Sequence, residues 1–127
     1  MIAENFKQVK QRISAAAKRD GRDPEDIRLV AVTKELSATV VAEGIRNGAE
    51  IFGESKVQEA KTKIESLGHD GIEWHFIGHL QKNKVNKCLG LFDAIDGVDS
   101  YRLAKKINTS SKNIGEITEC LLVLVVS

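Results

Sequence analysis

The run Leu29-Val30-Ala31-Val32-Thr33-Lys34 constrains this chain more than any other stretch. Four apolar residues stand together with no polar alternation. That predicts a strand buried on both faces, as in a parallel sheet, rather than a half-exposed antiparallel one. The run ends abruptly in Thr33 and Lys34, so the lysine falls at the C-terminal end of a strand, the edge at which α/β folds bind ligands. An ammonium held against an apolar strand loses hydration, which favours the neutral amine. A neutral lysine amine condenses with aldehydes, as Schiff-base lysines do.

Strand and helix patterns alternate around this run. An amphipathic helix is predicted from residue 2 to about residue 20, where Ile2, Phe6, Val9, Ile13 and Ala17 recur every three or four residues. Asp23 suits the N-cap of a short turn and Pro24 its first position, and a strand over 27–33 follows. Ser37 then caps a helix carrying Val40, Val41 and Ile45. Next come a strand over 50–53, a helix over 56–67, a strand over 73–77 closed by Gly78, a short helix over 83–89 and a strand over 92–95. Ser100 caps a helix with Leu103, Ala104 and Ile107 inward, and a fifth strand covers 119–126.

Regular alternation with short connections implies a parallel sheet with right-handed crossovers. At 127 residues the chain fits one domain. Two α/β architectures compete. An open doubly wound sheet can be complete with five strands, and length alone favours it. A (β/α) barrel of eight units takes about 250 residues. The chain closes on Leu121-Leu122-Val123-Leu124-Val125-Val126-Ser127, a bare apolar strand expected in the middle of a fold. That pattern points to about half of something larger.

Composition narrows the partners. Nineteen basic residues face 18 acidic ones for a net charge of +1, which gives no electrostatic case for nucleic acid or an anionic membrane. Cys88 and Cys120 form no CxxC pair, so a reducing compartment, the cytoplasm, is expected. The N-terminus lacks the apolar core of a secretory signal, and the longest apolar run, 121–126, is too short to span a bilayer.

Three segments offer chemistry. Lys34 is the first, and its bland reading is a solvated lysine ending a strand. The second is Phe52-Gly53-Glu54-Ser55-Lys56-Val57-Gln58-Glu59, which follows a strand and opens a helix. Gly53 there permits close backbone approach and Ser55 a hydrogen bond to a ligand. The bland reading makes Ser55 a cap paired with Gln58 or Glu59. The third is Trp74-His75-Phe76-Ile77-Gly78-His79-Leu80-Gln81-Lys82-Asn83-Lys84. His75 and His79 would suit a metal on a helix, but in a strand and loop they need not share a face, and no third ligand is spaced for it. Lys82, Lys84 and Lys87 read as an anion patch or as a solvated helix face. Cys88 reads as core. No dinucleotide fingerprint, phosphate loop or nucleophile elbow occurs.

In order, these three segments resemble the YggS/PROSC family, the pyridoxal-phosphate homeostasis proteins. The third, eleven residues long, is the most specific, and the resemblance runs from the first helix to the fifth strand. It implies a parallel (β/α) barrel of the TIM or alanine-racemase N-terminal type, here about half: an initial helix, then five strands alternating with four helices, as a single partial barrel domain over 1–127. It implies pyridoxal 5′-phosphate as cofactor, held as a Schiff base on Lys34, with Val32, Ser55 and His79 as further cofactor-binding residues. It implies a role in intracellular vitamin B6 homeostasis, with no obligatory turnover, no catalytic residue and no metal.

The family usually has Asn and Tyr where Ser55 and Lys56 stand, and His-Ser where Asp96-Gly97 stand; an acidic Asp96 would disfavour a nearby anionic ligand. The family's phosphate-binding turns and the arginine beside the pyridine ring lie after the fifth strand. The resemblance thus assigns the aldehyde anchor to this chain and leaves the phosphate cradle outside it. Two other readings remain open at this level. One is a racemase of the alanine-racemase type, which needs a second acid/base opposite Lys34, a place Tyr101 does not suit. The other is a finished five-stranded α/β binding module. A half-barrel is expected to associate with a second copy or to be completed by a missing C-terminal segment.

Overall fold

The computed structural model describes residues 2–123. Helix α1 spans Ile2–Arg19. Its apolar stripe is shallow: only Ala17 is fully buried, Ile2, Phe6 and Ile13 are half-covered, and Val9 stays exposed. A 3-10 turn over Pro24–Asp26 follows, with the Asp23 carboxylate accepting from the Glu25 N–H at 3.0 Å. Five strands then alternate with four helices: β1 Val30–Val32, α2 Ala38–Arg46, β2 Ile51–Glu54, α3 Val57–Leu67, β3 Glu73–Phe76, α4 Val85–Leu89, β4 Ala94–Val98, α5 Tyr101–Asn113 and β5 Glu119–Leu122. Ser37 and Ser100 cap α2 and α5 by accepting from the Val40 and Leu103 N–H groups.

All four strand pairings are parallel and the order is β1-β2-β3-β4-β5. A doubly wound sheet reverses its order at a switch point; this one never does. With crossovers of one hand, such an order puts the four connecting helices, α2 to α5, on the same face. The core shows this. Phe52, Trp74, Phe76, Ile95 and Val98 from the strands pack with Val41, Ala60, Ile64, Val85, Cys88, Leu103 and Ile107 from the helices. Each large side chain so buried contributes about 1.5–3 kcal/mol. Period-2 alternation then turns Val30, Val32, Gly53, Glu73, His75, Asp96 and Leu121 to the opposite, helix-free face. This is the arrangement of consecutive (β/α) barrel units, with the helix-free face as the barrel interior.

Three expectations from the sequence change. The first strand is three residues, not seven, and it is not buried on both faces: Val32 is 53% exposed, because β1 is an edge strand beside the open inner face. The fourth strand begins two residues later than expected and runs to Val98; Phe92 fills the core from the connection before it. The fifth strand is assigned only over Glu119–Leu122, and residues 124–126 of the expected strand lie outside the described residues. No helix among the described residues is long and apolar enough to cross a membrane.

Candidate functional site

Lys34 stands two residues beyond the end of β1, in a turn over 33–36 closed by the Leu36 N–H donating to the Thr33 carbonyl at 3.1 Å. The residue after it, Glu35, has φ 65°. A side chain in that left-handed region crowds its own backbone and costs about 1–2 kcal/mol, and such residues concentrate at functional sites. Lys34 itself is exposed rather than held against the apolar strand. The expected loss of hydration is therefore absent, since the turn carries Lys34 off the sheet edge into solvent.

The backbone on either side of Lys34 is held by charged side chains that sequence reasoning missed. Lys63, on α3, is 4% exposed, and Glu54, the last residue of β2, is 0% exposed. The Lys63 ammonium donates to the Thr33 carbonyl at 2.7 Å, to Glu54 Oε1 at 2.9 Å and to Glu59 Oε1 at 3.0 Å. Its three protons thus have three partners. The Thr33 hydroxyl donates to the other Glu54 oxygen, and the Glu35 N–H donates to the Glu59 carboxylate. The hydrogen bond from Lys63, then that from the Glu35 N–H, hold the Glu59 carboxyl below its usual range. The signal in the sequence was the spacing of Glu59 and Lys63, four apart on one helix.

The second and third segments meet beside this turn, at the same C-terminal edge of the sheet. The Gly78 backbone lies directly on Ser55: a Cβ at Gly78 would stand 2.5 Å from the Ser55 carbonyl oxygen. Ser55 caps nothing; the N-cap of α3 is Lys56, which makes no side-chain cap. The space at Gly53 is taken by side chains and not by backbone, since a Cβ there would meet Ile77 at 3.0 Å and Val30 at 3.1 Å. His79 is exposed in the loop after β3. Among the described residues, the side chains of Lys34, Ser55 and His79 are engaged in no hydrogen bond or ion pair with the protein. The four candidates therefore lie at or next to one edge: Lys34 and His79 exposed, Ser55 half-covered, Val32 on the inner face.

His75 belongs elsewhere. It lies on the inner face between two carboxylates, Asp96 at 2.9 Å from Nδ1 and Glu73 at 3.0 Å from Nε2. Arg28 in turn donates to Glu73 and approaches Glu119 at 4.0 Å. Both ring nitrogens being taken, His75 and His79 do not form a metal pair, and no cluster of three metal-ligating side chains occurs among the described residues. Lys82, Lys84 and Lys87 are exposed along one turn and helix.

No protein-family model matches the chain. Curated relatives do. The pyridoxal phosphate homeostasis protein of Escherichia coli K12 is 47% identical over 110 residues, 84% of this chain and 47% of that protein. That of Pongo abelii is 42% identical over 116 residues, 84% of this chain and 42% of that protein. The chain belongs to the YggS/PROSC family. It spans about half the length of the curated relatives it matches. Solved structures agree with this YggS/PROSC assignment. PipY of Synechococcus elongatus PCC7942 without PLP superposes with TM-score 0.85 at 30% identity, over 100% of this chain and 55% of that one. PipY with PLP bound gives 0.82 at 31%, over 99% and 56%.

Two departures from the YggS/PROSC pattern acquire a geometry. Ser55, at the position where the resemblance leads one to expect Asn, has its backbone against Gly78, while Lys56 beside it is exposed. Asp96 does not present a free charge at the ligand edge, because its carboxylate pairs with His75.

Proposed function

We propose that this chain binds pyridoxal 5′-phosphate through a Schiff base on Lys34 and serves intracellular vitamin B6 homeostasis. The observation that carries this is the exposed, unpaired Lys34 amine at the C-terminal edge of the first strand, on a turn whose neighbours on both sides are anchored. The curated relatives named for pyridoxal phosphate homeostasis, and the PLP-bound PipY structure, support the reading. The residues fit the aldehyde end of the cofactor: an accessible primary amine, with Ser55 and His79 free to donate or accept at the same edge. Condensation joins Lys34 Nζ to the aldehyde carbon and releases one water.

On this reading the phosphate is held outside the present chain, which forms one partial barrel domain over 1–127. The inner face is then completed by further strands, from a second copy or from a C-terminal segment. A cytoplasmic setting is part of this reading, and the free thiols of Cys88 and Cys120 suit a reducing compartment.

The test is addition of pyridoxal 5′-phosphate, borohydride reduction and peptide mass mapping. The expected result is a Schiff-base absorption band fixed onto Lys34 and lost in Lys34→Ala. Label placed mainly on other lysines, or equal labelling of the variant, overturns the proposal.

A further inference from the structure

The charged cluster behind the Lys34 turn does more than join β1, β2 and α3. A turn with its third residue at φ 65° normally takes glycine there; this one has Glu35. The conformation persists only if the surroundings impose it. The surroundings that touch it are specific. The carbonyl one residue before Lys34 accepts from the Lys63 ammonium at 2.7 Å, and the N–H one residue after Lys34 donates to the Glu59 carboxylate. Lys63 and Glu59 are themselves paired at 3.0 Å. Glu54, fully buried, takes the remaining Lys63 proton and the Thr33 hydroxyl. One ion cluster therefore grips the main chain immediately before and immediately after the anchor lysine. Buried charges are costly to keep unless paired, and here the pairing is spent on two backbone groups of a solvent-facing turn.

We propose that Lys63 and Glu59 are positioning residues for Lys34, fixing the Thr33 carbonyl and the Glu35 N–H so that the left-handed turn presents the Lys34 amine in one place. This rests on Lys34 being the anchor. Neither residue touches the ligand; both act through the turn. A lysine on a loosened turn samples many positions, and misplacement by about 1 Å costs on the order of 10²-fold in a positioned reaction.

The full chain with pyridoxal 5′-phosphate tests this. Glu59→Ala is the informative variant, because Glu59 is partly exposed near the start of α3 and its loss leaves the Glu54–Lys63 pair intact. Lys63→Arg and Lys63→Met accompany it. Three quantities are read: the rate of Schiff-base band formation, the share of borohydride-fixed label on Lys34 against the exposed Lys105, and, without ligand, hydrogen exchange of the Leu36 amide. In Glu59→Ala the band should form on the order of 10- to 100-fold more slowly, the Lys34 share should fall while Lys105 is unchanged, and Leu36 exchange should rise. Adding Glu35→Gly to Glu59→Ala should restore the Lys34 share, because glycine adopts φ 65° without the clamp.

A rate and share equal to the unsubstituted chain in Glu59→Ala overturn the proposal and leave the Lys34 anchor standing. A loss that Glu35→Gly fails to restore also overturns it, since Glu59 would then act other than through the turn. No label on Lys34 in the unsubstituted chain overturns the anchor assignment and this proposal with it.

Discussion

Of the glycines at the candidate site, Gly78 has the least room to change. A Cβ there would lie 2.5 Å from the Ser55 carbonyl oxygen and 3.0 Å from its Cα, both main-chain atoms that cannot swing aside. Gly78→Ala must push the loop after β3 away from the start of α3. Overpacking of this kind costs about 1–3 kcal/mol. The expected outcome is a lower urea midpoint at unchanged slope, together with altered labelling at Lys34; an unshifted midpoint would mean that the contact yields freely. Cys88 is a contrasting case. It is fully buried, and burial first, then Cys120, push its thiol up to about 12. A thiol reagent near pH 8 should therefore modify Cys88 only after denaturation, and immediate reaction in the folded chain would show that the helix layer opens.

At the scale of elements, the inner-face cluster joins β3 to β4 through His75. Burial by itself would lower the imidazole, but the hydrogen bonds to Glu73 and Asp96 outweigh it, so His75 titrates above its usual 6.5. A folded-state value raised in this way gives stability that is fully present below about 6.5 and is lost as pH rises through the raised value. The melting difference between the unsubstituted chain and His75→Gln should therefore shrink as pH is raised from about 6 to about 9; a constant difference would rule out the charged imidazole as its source. Glu59 runs the other way. Its lowered value contributes above about 4.5 and is lost on acidification, so the Leu36 amide should lose protection from exchange below that pH before the sheet melts. The elements themselves were legible in the sequence because their signals are local: Ser37 and Ser100 as caps, Asp23-Pro24 as a turn, unbroken apolar runs as strands. That Lys34, Ser55 and His79 come to one edge of the sheet was legible because each follows a strand. What lay out of reach was pairing across the fold. Nothing local in Glu54 says that it is fully buried, or that its partner stands nine residues on in a helix. Asp96 reads as a stray acid until β3 and β4 bring it to His75. The short first strand has the same cause: an apolar run shows what can be buried, not whether a neighbour is there to bury it.

The whole molecule is governed by its uncovered face. The order β1-β2-β3-β4-β5 leaves β1 and β5 as edges, each with a row of N–H and C=O groups unpaired on one side among the described residues. The apolar side chains beside them are open: Val32 is 53% exposed, Leu121 58% and Leu122 70%. Such edges pair with other chains unless charge, proline or a bulge blocks them. Here the irregularity between Asp96 and Val98 lies in the β4–β5 pairing and so protects neither edge. The helix side is already satisfied, with Trp74 and Phe52 fully covered. Association should therefore run through the inner face and its borders and leave the helices outside. The 127-residue chain is expected to form a species larger than its 14.0 kDa monomer in light scattering at low micromolar concentration. Leu121→Lys, which places a charge on the β5 edge and inner face, should shift it towards monomer without altering the packing of Trp74. A monodisperse 14.0 kDa species with a cooperative melt would mean that five strands suffice on their own and that the inner face is stable in water. A larger species untouched by Leu121→Lys would place the contact on another surface, with the shallow stripe of α1 as the next to substitute.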